Sequence, residues 1–219
     1  MMASSLRNDN RRSVVVSLRN ATLDDLPLLQ QWDQADHLQS SNMGDCDYND
    51  WNWEYELPRN QHLSWRYQLI AQVQQVVGDE QQPKAAAAST TTTTTTTTQN
   101  PIGFVQIIDP ATEETHYWGN NCSSTQRAVD IWIGEPAYLN QGYGTAVMQQ
   151  VLRDYCFSAN LQPQVQQVLV DPLADNVAAH RFYQRLGFAP DGIRHFGPDC
   201  CLVHQLTRER WLEMVAGCS

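Results

Sequence analysis

Two glycine-bearing segments constrain this chain more than any other feature. Gln141-Gly142-Tyr143-Gly144-Thr145-Ala146 leads from a strand pattern into a helix pattern, and Asn176-Val-Ala-Ala179-His-Arg-Phe-Tyr183-Gln-Arg-Leu-Gly187-Phe188 forms a later helix. One strand pattern, Val165 to Val170, separates them. The first segment puts backbone N–H groups at the start of an apolar-periodic helix with Ala146, Val147, Val151 and Leu152 facing inward. Helix starts leave such donors unsatisfied, and the helix dipole favours negative charge beside them. A pyrophosphate suits that turn without any basic side chain. The second segment sets Tyr183, with Phe182 and Leu186, on the inner side of its helix. A Gly-x-Gly turn alone arises wherever a backbone needs glycine, so its surroundings carry the weight. A dinucleotide-binding Rossmann unit is excluded, because a third glycine is missing and the motif falls late in the chain.

Around these segments the pattern predicts alternating elements. Val14 to Leu18 is a strand, and Thr22-Leu-Asp-Asp25 starts a helix over 23–36 with a box-like cap in which Asp replaces the usual Glu; Leu26, Leu29 and Trp32 face inward. Arg66 to Val77 and Ile102 to Ile108 alternate as hairpin partners. Between them, 78–100 is a low-complexity insertion with Ala85 to Ala88 and nine threonines, Thr90 to Thr98. Such composition buries too little apolar surface to offset ordering entropy, so a loop at the hairpin tip is expected. Strands follow at Arg127 to Ile133 and Val165 to Val170, helices at 142–158 and 175–186, and a closing hairpin at Phe188 to His195 with Cys200 to Thr207. The order implies a single α/β domain over 13–215, a mixed central sheet of six to seven strands flanked by helices, behind a flexible N-terminus at 1–12. The segment from Ser40 to Pro58, with Asp45, Asp47, Tyr48, Asp50, Trp51, Trp53 and Tyr55, reads either as a pocket wall or as aromatics filling core space.

A chain of 219 residues supports one buried core. Its 14 Lys plus Arg against 24 Asp plus Glu give a net charge of −10, which disfavours a nucleic-acid partner and suits a cationic one. Six cysteines show no Cys-x-x-Cys pair and no spacing shared with histidines, so reduced thiols and no metal are expected. No apolar run approaches the roughly 18 residues of a membrane span, and no signal segment is evident, so the expectation is a cytoplasmic protein without a membrane partner, monomeric or homodimeric.

With both glycine segments in this order, residues 101 to 207 resemble the GNAT superfamily of N-acetyltransferases. Gln141 to Ala146 is similar to that family's pyrophosphate-binding loop, with Leu139 where Arg or Gln is usual. Asn176, Ala179, Tyr183, Gly187 and Phe188 are similar to the following motif. The resemblance implies acetyl-CoA as co-substrate, held by Ile131, Trp132 and Ile133 of the preceding strand, by Gln141, Gly142, Tyr143, Gly144, Thr145 and Ala146, and by Asn176, Ala179 and Tyr183. Within the superfamily the chain most resembles the aminoglycoside 6′-N-acetyltransferases. That implies a small cationic amine acceptor, with Asp130 and Tyr183 catalytic, and Tyr55, Trp118, Asp130 and Asp171 contacting the acceptor. Two departures bear on the acceptor rather than on acetyl transfer: Gly119-Asn120-Asn121 follows Trp118 where relatives have acids, and an aromatic expected before Ser40 is missing.

The implied chemistry has physical requirements. An alkylammonium of pKa about 10 must lose a proton before attack, which the Asp130 carboxylate can accept. A free backbone N–H next to Ile131 or Trp132 can polarise the thioester carbonyl. The departing thiolate, of pKa about 8.5, can be met by the Tyr183 hydroxyl. Each residue also has a plainer reading: Asp130 as a structural acid paired with Arg127, Asp171 as a turn residue, Trp118 and Tyr183 as core, Glu113 and Glu114 as a turn, and His180 and Arg181 as solvated. Two other functions fit the same motifs, an acyltransferase on a hydroxylysine-type siderophore precursor and a non-catalytic acetyl-CoA-binding module; retention of both Asp130 and Tyr183 argues against the latter.

Overall fold

The computed structural model describes residues 15–39, 52–60, 63–77 and 96–217. Seven strands form one sheet in the order β1-β2-β3-β4-β5-β7-β6. They are β1 (Val16–Asn20), β2 (Arg66–Val77), β3 (Thr96–Ile108), β4 (Gln126–Ile133), β5 (Gln167–Val170), β6 (Ala189–Phe196) and β7 (Asp199–Thr207). All neighbours are antiparallel except β4 and β5, which run parallel because helix α4 (Tyr143–Val151) crosses between them. The mixed sheet with helices on its faces is the one the sequence predicts.

The β2–β3 hairpin is longer than expected. Thr96 to Asn100 pair with Val77 to Val73, so 96–100 belong to a strand rather than to the insertion loop, while 78–95 lie outside the described residues. Pro101 has no N–H to give the ladder, and a bulge falls there: Ala71 pairs with Gly103, Gln72 with Pro101, and Ile102 is passed over. The Ile102 carbonyl turns instead to the N–H groups of Gly134 and Glu135.

The helix expected over 23–36 is three pieces: a 3-10 turn Leu23–Asp25, α1 (Leu26–Asp33) and α2 (Asp36–Gln39). Its cap forms as the sequence implies. Asp25 accepts from the Thr22 N–H at 2.8 Å and takes both ends of the Arg19 guanidinium at 2.6 Å. Its break follows from the last turn of α1, where Gln34 and Ala35 donate to the carbonyls of Gln31 and Trp32, the tighter i−3 pattern that ends a helix. α3 (Trp53–Asn60) follows, then after β4 the helix α4, whose last turn widens into a π-turn over Leu152–Cys156. α5 (Val177–Arg185) and α6 (Arg208–Gly217) complete the chain. The sequence reading did not anticipate α6: it buries no residue and touches the body chiefly by Trp211 against Phe157, 6.1 Å between rings.

Strand alternation divides the core. Val129, Ile131 and Ile133 of β4 point to the face where Val147, Met148, Val151, Leu152, Tyr183 and Leu206 pack under α4 and α5. Ala128, Asp130 and Trp132 point to the other face, where Ile70 and Phe104 meet Leu29 and Trp32 of α1 and Trp53 and Leu57 of α3. Trp53 is thus core, 3% exposed, with its Nε1–H on Asp33 at 2.5 Å. Asp45, Asp47, Tyr48, Asp50 and Trp51 lie outside the described residues. Among the described residues no helix is long and apolar enough to cross a membrane.

Candidate active site

The site begins where the sheet opens. β4 pairs with β3 from Ala128 to Ile133, but with β5 only from Gln126 to Ala128. Past that point the parallel strands part, leaving a slot whose floor is the edge of β4. Gly134 donates to Ile102 across β3 at 2.9 Å. Antiparallel pairing alternates, so Trp132 and Asp130 likewise spend their N–H groups on β3, and Ile131 and Ile133 turn theirs toward the slot. The amide available to a carbonyl there is that of Ile131, not Trp132. The Ile133 carbonyl accepts from His37 Nε2 at 2.9 Å, a contact from α2 that no motif signals.

At the mouth of the slot the glycine turn has the shape its sequence demands. Gly142 has φ +89°, where a side chain would be strained, and Ala146 N–H makes the first intrahelical bond, to the Gly142 carbonyl at 3.0 Å. The amides of Tyr143, Gly144 and Thr145 precede it and have no intrahelical acceptor. Gln141 pins the turn by donating to the Ala137 carbonyl, and Tyr143 packs edge-on to Tyr138. Gly144 lies beside Phe182 and Ile133, the nearest atoms 3.6 and 3.8 Å from where a Cβ would stand, so the turn is seated against both α5 and β4. Asn176 caps α5 by accepting from the Ala179 N–H at 3.0 Å, giving both residues a structural task at the far lip.

On the face of α1 and α3 lie the acids. Asp130 accepts from Gln106 Nε2 at 3.3 Å, and Gln106 accepts from Gln68 at 3.4 Å, a line of side chains across β4, β3 and β2. Arg127 reaches Asp109 at 3.3 Å, so the plainer Arg127–Asp130 pairing is not the arrangement found. Asp171 accepts from the Tyr117 hydroxyl at 2.7 Å. Tyr117, 48% exposed, stacks on Phe196 with ring centroids 4.4 Å apart and planes 8° apart. Its neighbour Trp118, the expected acceptor contact, is 8% exposed and packs with Ala128, Leu169 and Val203. Trp118 is thus packed as core, while the adjacent Tyr117 carries the polar contact to Asp171. Glu113 shapes this loop as a turn residue, accepting from the N–H groups of Thr115 at 2.7 Å and Tyr117 at 3.0 Å. Tyr55 on α3 is 60% exposed under the guanidinium of Arg59, which in turn pairs with Glu114.

Tyr183 comes from the opposite face. Its ring is 7% exposed, against Phe182 at 5.1 Å and Phe188 at 5.5 Å. Burial drives its phenol far above the usual value, and the charges of Asp130 and then Asp171 push the same way. It therefore stays a proton donor at neutral pH. The same effects act on Tyr117, where burial leads and Asp171 follows. Arg66 also sits near these groups. Arg66 is lowered by burial and partly restored by Glu56, Glu113 and Asp130. Its guanidinium lies over the Trp65 ring at 4.7 Å and 3.6 Å from the Glu56 carboxylate, and its buried Nε has no hydrogen-bond partner among the described residues. With Asn20, Asn60, Tyr67 and Gln68 it lines a cavity of about 140 Å³. Sequence reasoning missed it, since an arginine at a strand start looks like a solvated end. His180, expected in solvent, is 8% exposed.

Comparison with known proteins agrees with this geometry. Residues 21–196 match the acetyltransferase (GNAT) domain family model. Among curated proteins none matches the sequence. Among solved structures, the aminoglycoside acetyltransferase AAC(6′)-Ib in complex with coenzyme A and kanamycin is similar at 20% identity and TM-score 0.63, over 92% of this chain and 99% of that one. The aminoglycoside N(6′)acetyltransferase of Legionella pneumophila is similar at 15% identity and TM-score 0.60, over 93% and 98%. A spermidine N-acetyltransferase chimera from Vibrio cholerae and hSSAT follows at 14% identity and TM-score 0.58, over 90% and 98%. These likenesses show the fold. A slot of this shape, framed by a family match over most of the chain, establishes that the protein belongs to the GNAT acetyltransferases.

Proposed function

We propose that this chain transfers acetyl from acetyl-CoA to a primary amine of a small polycationic acceptor, with the 6′-amine of an aminoglycoside the first candidate. The observation that carries the reading is the glycine turn that opens α4, seated against both α5 and β4 and beside a β4 edge that β5 stops pairing past Ala128. Acetyl-CoA supplies an activated acyl group. The amides that open α4 hold its pyrophosphate, and the β4 edge guides its chain. Asp130, oriented by Gln106, holds the acceptor ammonium and takes its proton. The Ile131 N–H supports charge on the carbonyl oxygen, and Tyr183 gives its proton to sulfur. Asp171 holds a second cationic group, and no covalent enzyme intermediate is needed. Likeness to structures described with coenzyme A and kanamycin supports both partners.

A second acceptor class is favoured by Arg66. A buried guanidinium whose Nε has no hydrogen-bond partner among the described residues, lining a cavity joined to Asp130 through Gln68 and Gln106, suits an acceptor carboxylate, which a polyamine sugar lacks. A hydroxylysine-type acceptor carries both groups. The experiment is thiol release from acetyl-CoA with kanamycin, tobramycin, a 6′-hydroxy aminoglycoside, spermidine and N6-hydroxylysine, with products located by mass spectrometry. Turnover of 6′-amino but not 6′-hydroxy compounds supports the first reading. Turnover of N6-hydroxylysine alone, lost in Arg66→Met, replaces it by the second. Tight CoA binding with silence on every amine overturns both.

A further inference from the structure

Behind Tyr183 lie two histidines that acetyl transfer leaves idle. His180 precedes Tyr183 by one turn of α5, and His204, on β7, is fully buried. Their rings stack with centroids 5.1 Å apart and planes 20° apart, and the Tyr183 ring lies 6.3 Å from His204. A carbonyl can only accept, so its contact fixes each tautomer: His204 donates from Nδ1 to Leu202 at 2.9 Å, and His180 donates from Nε2 to Ala174 at 3.1 Å. The other two nitrogens, His204 Nε2 and His180 Nδ1, are buried with no hydrogen-bond partner among the described residues. Each is a bare lone pair, acceptable while the ring is neutral. A proton on either would create a buried cation whose new N–H has no acceptor.

The surroundings make the stack a mechanical reference. The turn from β5 to α5 is tied to β7 by Ala174 N–H to Cys200 at 2.8 Å and Leu202 N–H to Pro172 at 3.1 Å. The stack then ties the first turn of α5 to the same strand, so α5 cannot slide along β7 without separating the rings. The ionisable groups nearby are Tyr183 on α5, Asp171 in the turn and Asp130 on β4, and both acids act on Tyr183. On β6, Asp191 is engaged by Arg194 and Gln205, and Asp175 and Arg181 are exposed. Cys201 points to the opposite face of β7. Burial holds His204 below its ordinary value; the bond to Leu202 works against this, and His180 adds to it.

We infer that the His180–His204 stack is the seat of Tyr183, setting how far the phenol reaches into the slot, and that it does so while both rings are uncharged. The inference rests on Tyr183 acting as the acid of the proposed reaction, and both histidines are positioning residues that touch no reactant.

The test uses the full chain and its variants His204→Asn, His204→Phe and Tyr183→Phe, read by thiol release with acetyl-CoA and the best amine, CoA binding by calorimetry, and nitrogen-15 NMR of the imidazoles. In the wild type, His204 is expected as the Nδ1–H tautomer and His180 as the Nε2–H tautomer, the forms their carbonyl contacts select. His204→Asn keeps a donor for Leu202 and loses the ring; kcat should fall about tenfold or more while CoA affinity changes less than about twofold. His204→Phe keeps a stacking face that cannot charge, so kcat near pH 7.5 should approach wild type and the acid limb of its pH profile should flatten. Wild-type turnover in His204→Asn, or an unchanged acid limb in His204→Phe, overturns the inference. Should the variants not fold, the wild-type spectrum decides it, because a charged ring or the opposite tautomer at either position refutes the seat. Unchanged kcat in Tyr183→Phe would instead remove the acid assignment, leaving the tautomer result to stand or fall separately.

Discussion

Asp130→Asn isolates the proton-accepting step. Asparagine matches the carboxylate in shape, and its side-chain oxygen can take the hydrogen bond that Gln106 Nε2 gives Asp130 at 3.3 Å. Packing on the α1 and α3 face is untouched, so unfolding free energy should change by less than about 1 kcal/mol. Proton acceptance is lost. An acceptor amine of pKa about 10.4 is neutral in roughly one molecule in eight hundred at pH 7.5, which bounds what solvent deprotonation can contribute. Losing the base should cost about 10²- to 10³-fold in kcat/KM for the amine, roughly 3–4 kcal/mol on the barrier. The deficit should close as pH rises, because the variant gains about tenfold per pH unit up to the amine's pKa while the wild type levels off earlier. Thiol release against pH, with acetyl-CoA affinity by calorimetry and a thermal melt, reads all three quantities. An equal loss of acetyl-CoA affinity, or a deficit that stays constant with pH, would refute the role of Asp130 as base.

Tyr183→Phe keeps the ring contacts with Phe182 and Phe188 and should melt like wild type while kcat falls about 10²-fold or more, measured by thiol release; unchanged kcat would assign the acid elsewhere. Gly134→Ala should destabilise by about 1–3 kcal/mol in urea unfolding, because its Cβ would stand 2.1 Å from the ring of Trp32, which is 1% exposed and held by Glu135 at 2.9 Å. Gly119→Ala, with φ +92° and open space around it, is the comparison that carries backbone strain alone. At Asp25, burial favours the neutral acid, yet the bonds from Arg19 and Thr22 outweigh it and hold the carboxyl below its ordinary value. Its stability is present above the unfolded pKa of about 3.9 and is lost as pH falls through the folded value. Asp25→Asn should therefore cost about 1–2 kcal/mol at pH 7, discounted because Arg19 is partly exposed, and progressively less as pH falls below about 4.

What the sequence made legible was local. Gly142 and the apolar stripe of α4 announce the turn and its helix, and the alternation of Arg127 to Ile133 announces β4 with Asp130 and Ile131 on opposite faces. Tyr183 and Asn176 lie in one helix at fixed spacing, so their joint position follows once that helix exists. What stayed hidden depends on contacts between distant segments. Tyr117 gains its place because Glu113 curls the loop under it and Phe196, far along the chain, provides the ring it stacks on. His180 resembles a solvated helix residue until β7 brings His204 against it. Arg66 opens a strand at a site whose neighbours, Glu56 and Asn60, belong to another element. The break after Asp33 is likewise a matter of tightened hydrogen bonding, to which side-chain periodicity is blind.

The reach of the site across the sheet follows from one short strand. Asp130 points to the face of α1 and α3, and Tyr183 packs on the face of α4 and α5, so an unbroken sheet would hold the base and the acid apart by its own thickness. Pairing of β4 with β5 ends at Ala128 and Leu169, before either strand reaches its acid. Asp130 then stands on β4 past its last pairing with β5, and Asp171 follows Val170 at the opposite edge. In the proposed reaction, a molecule lying in that gap would be approached from one face by the two carboxylates and from the other by the phenol, with the Ile131 amide between them. The shortness of β5, four residues against eight in β4, is therefore a condition for the proposed chemistry, since two further ladder bonds past Ala128 would close the slot and consume the amide that the proposal assigns to the carbonyl oxygen.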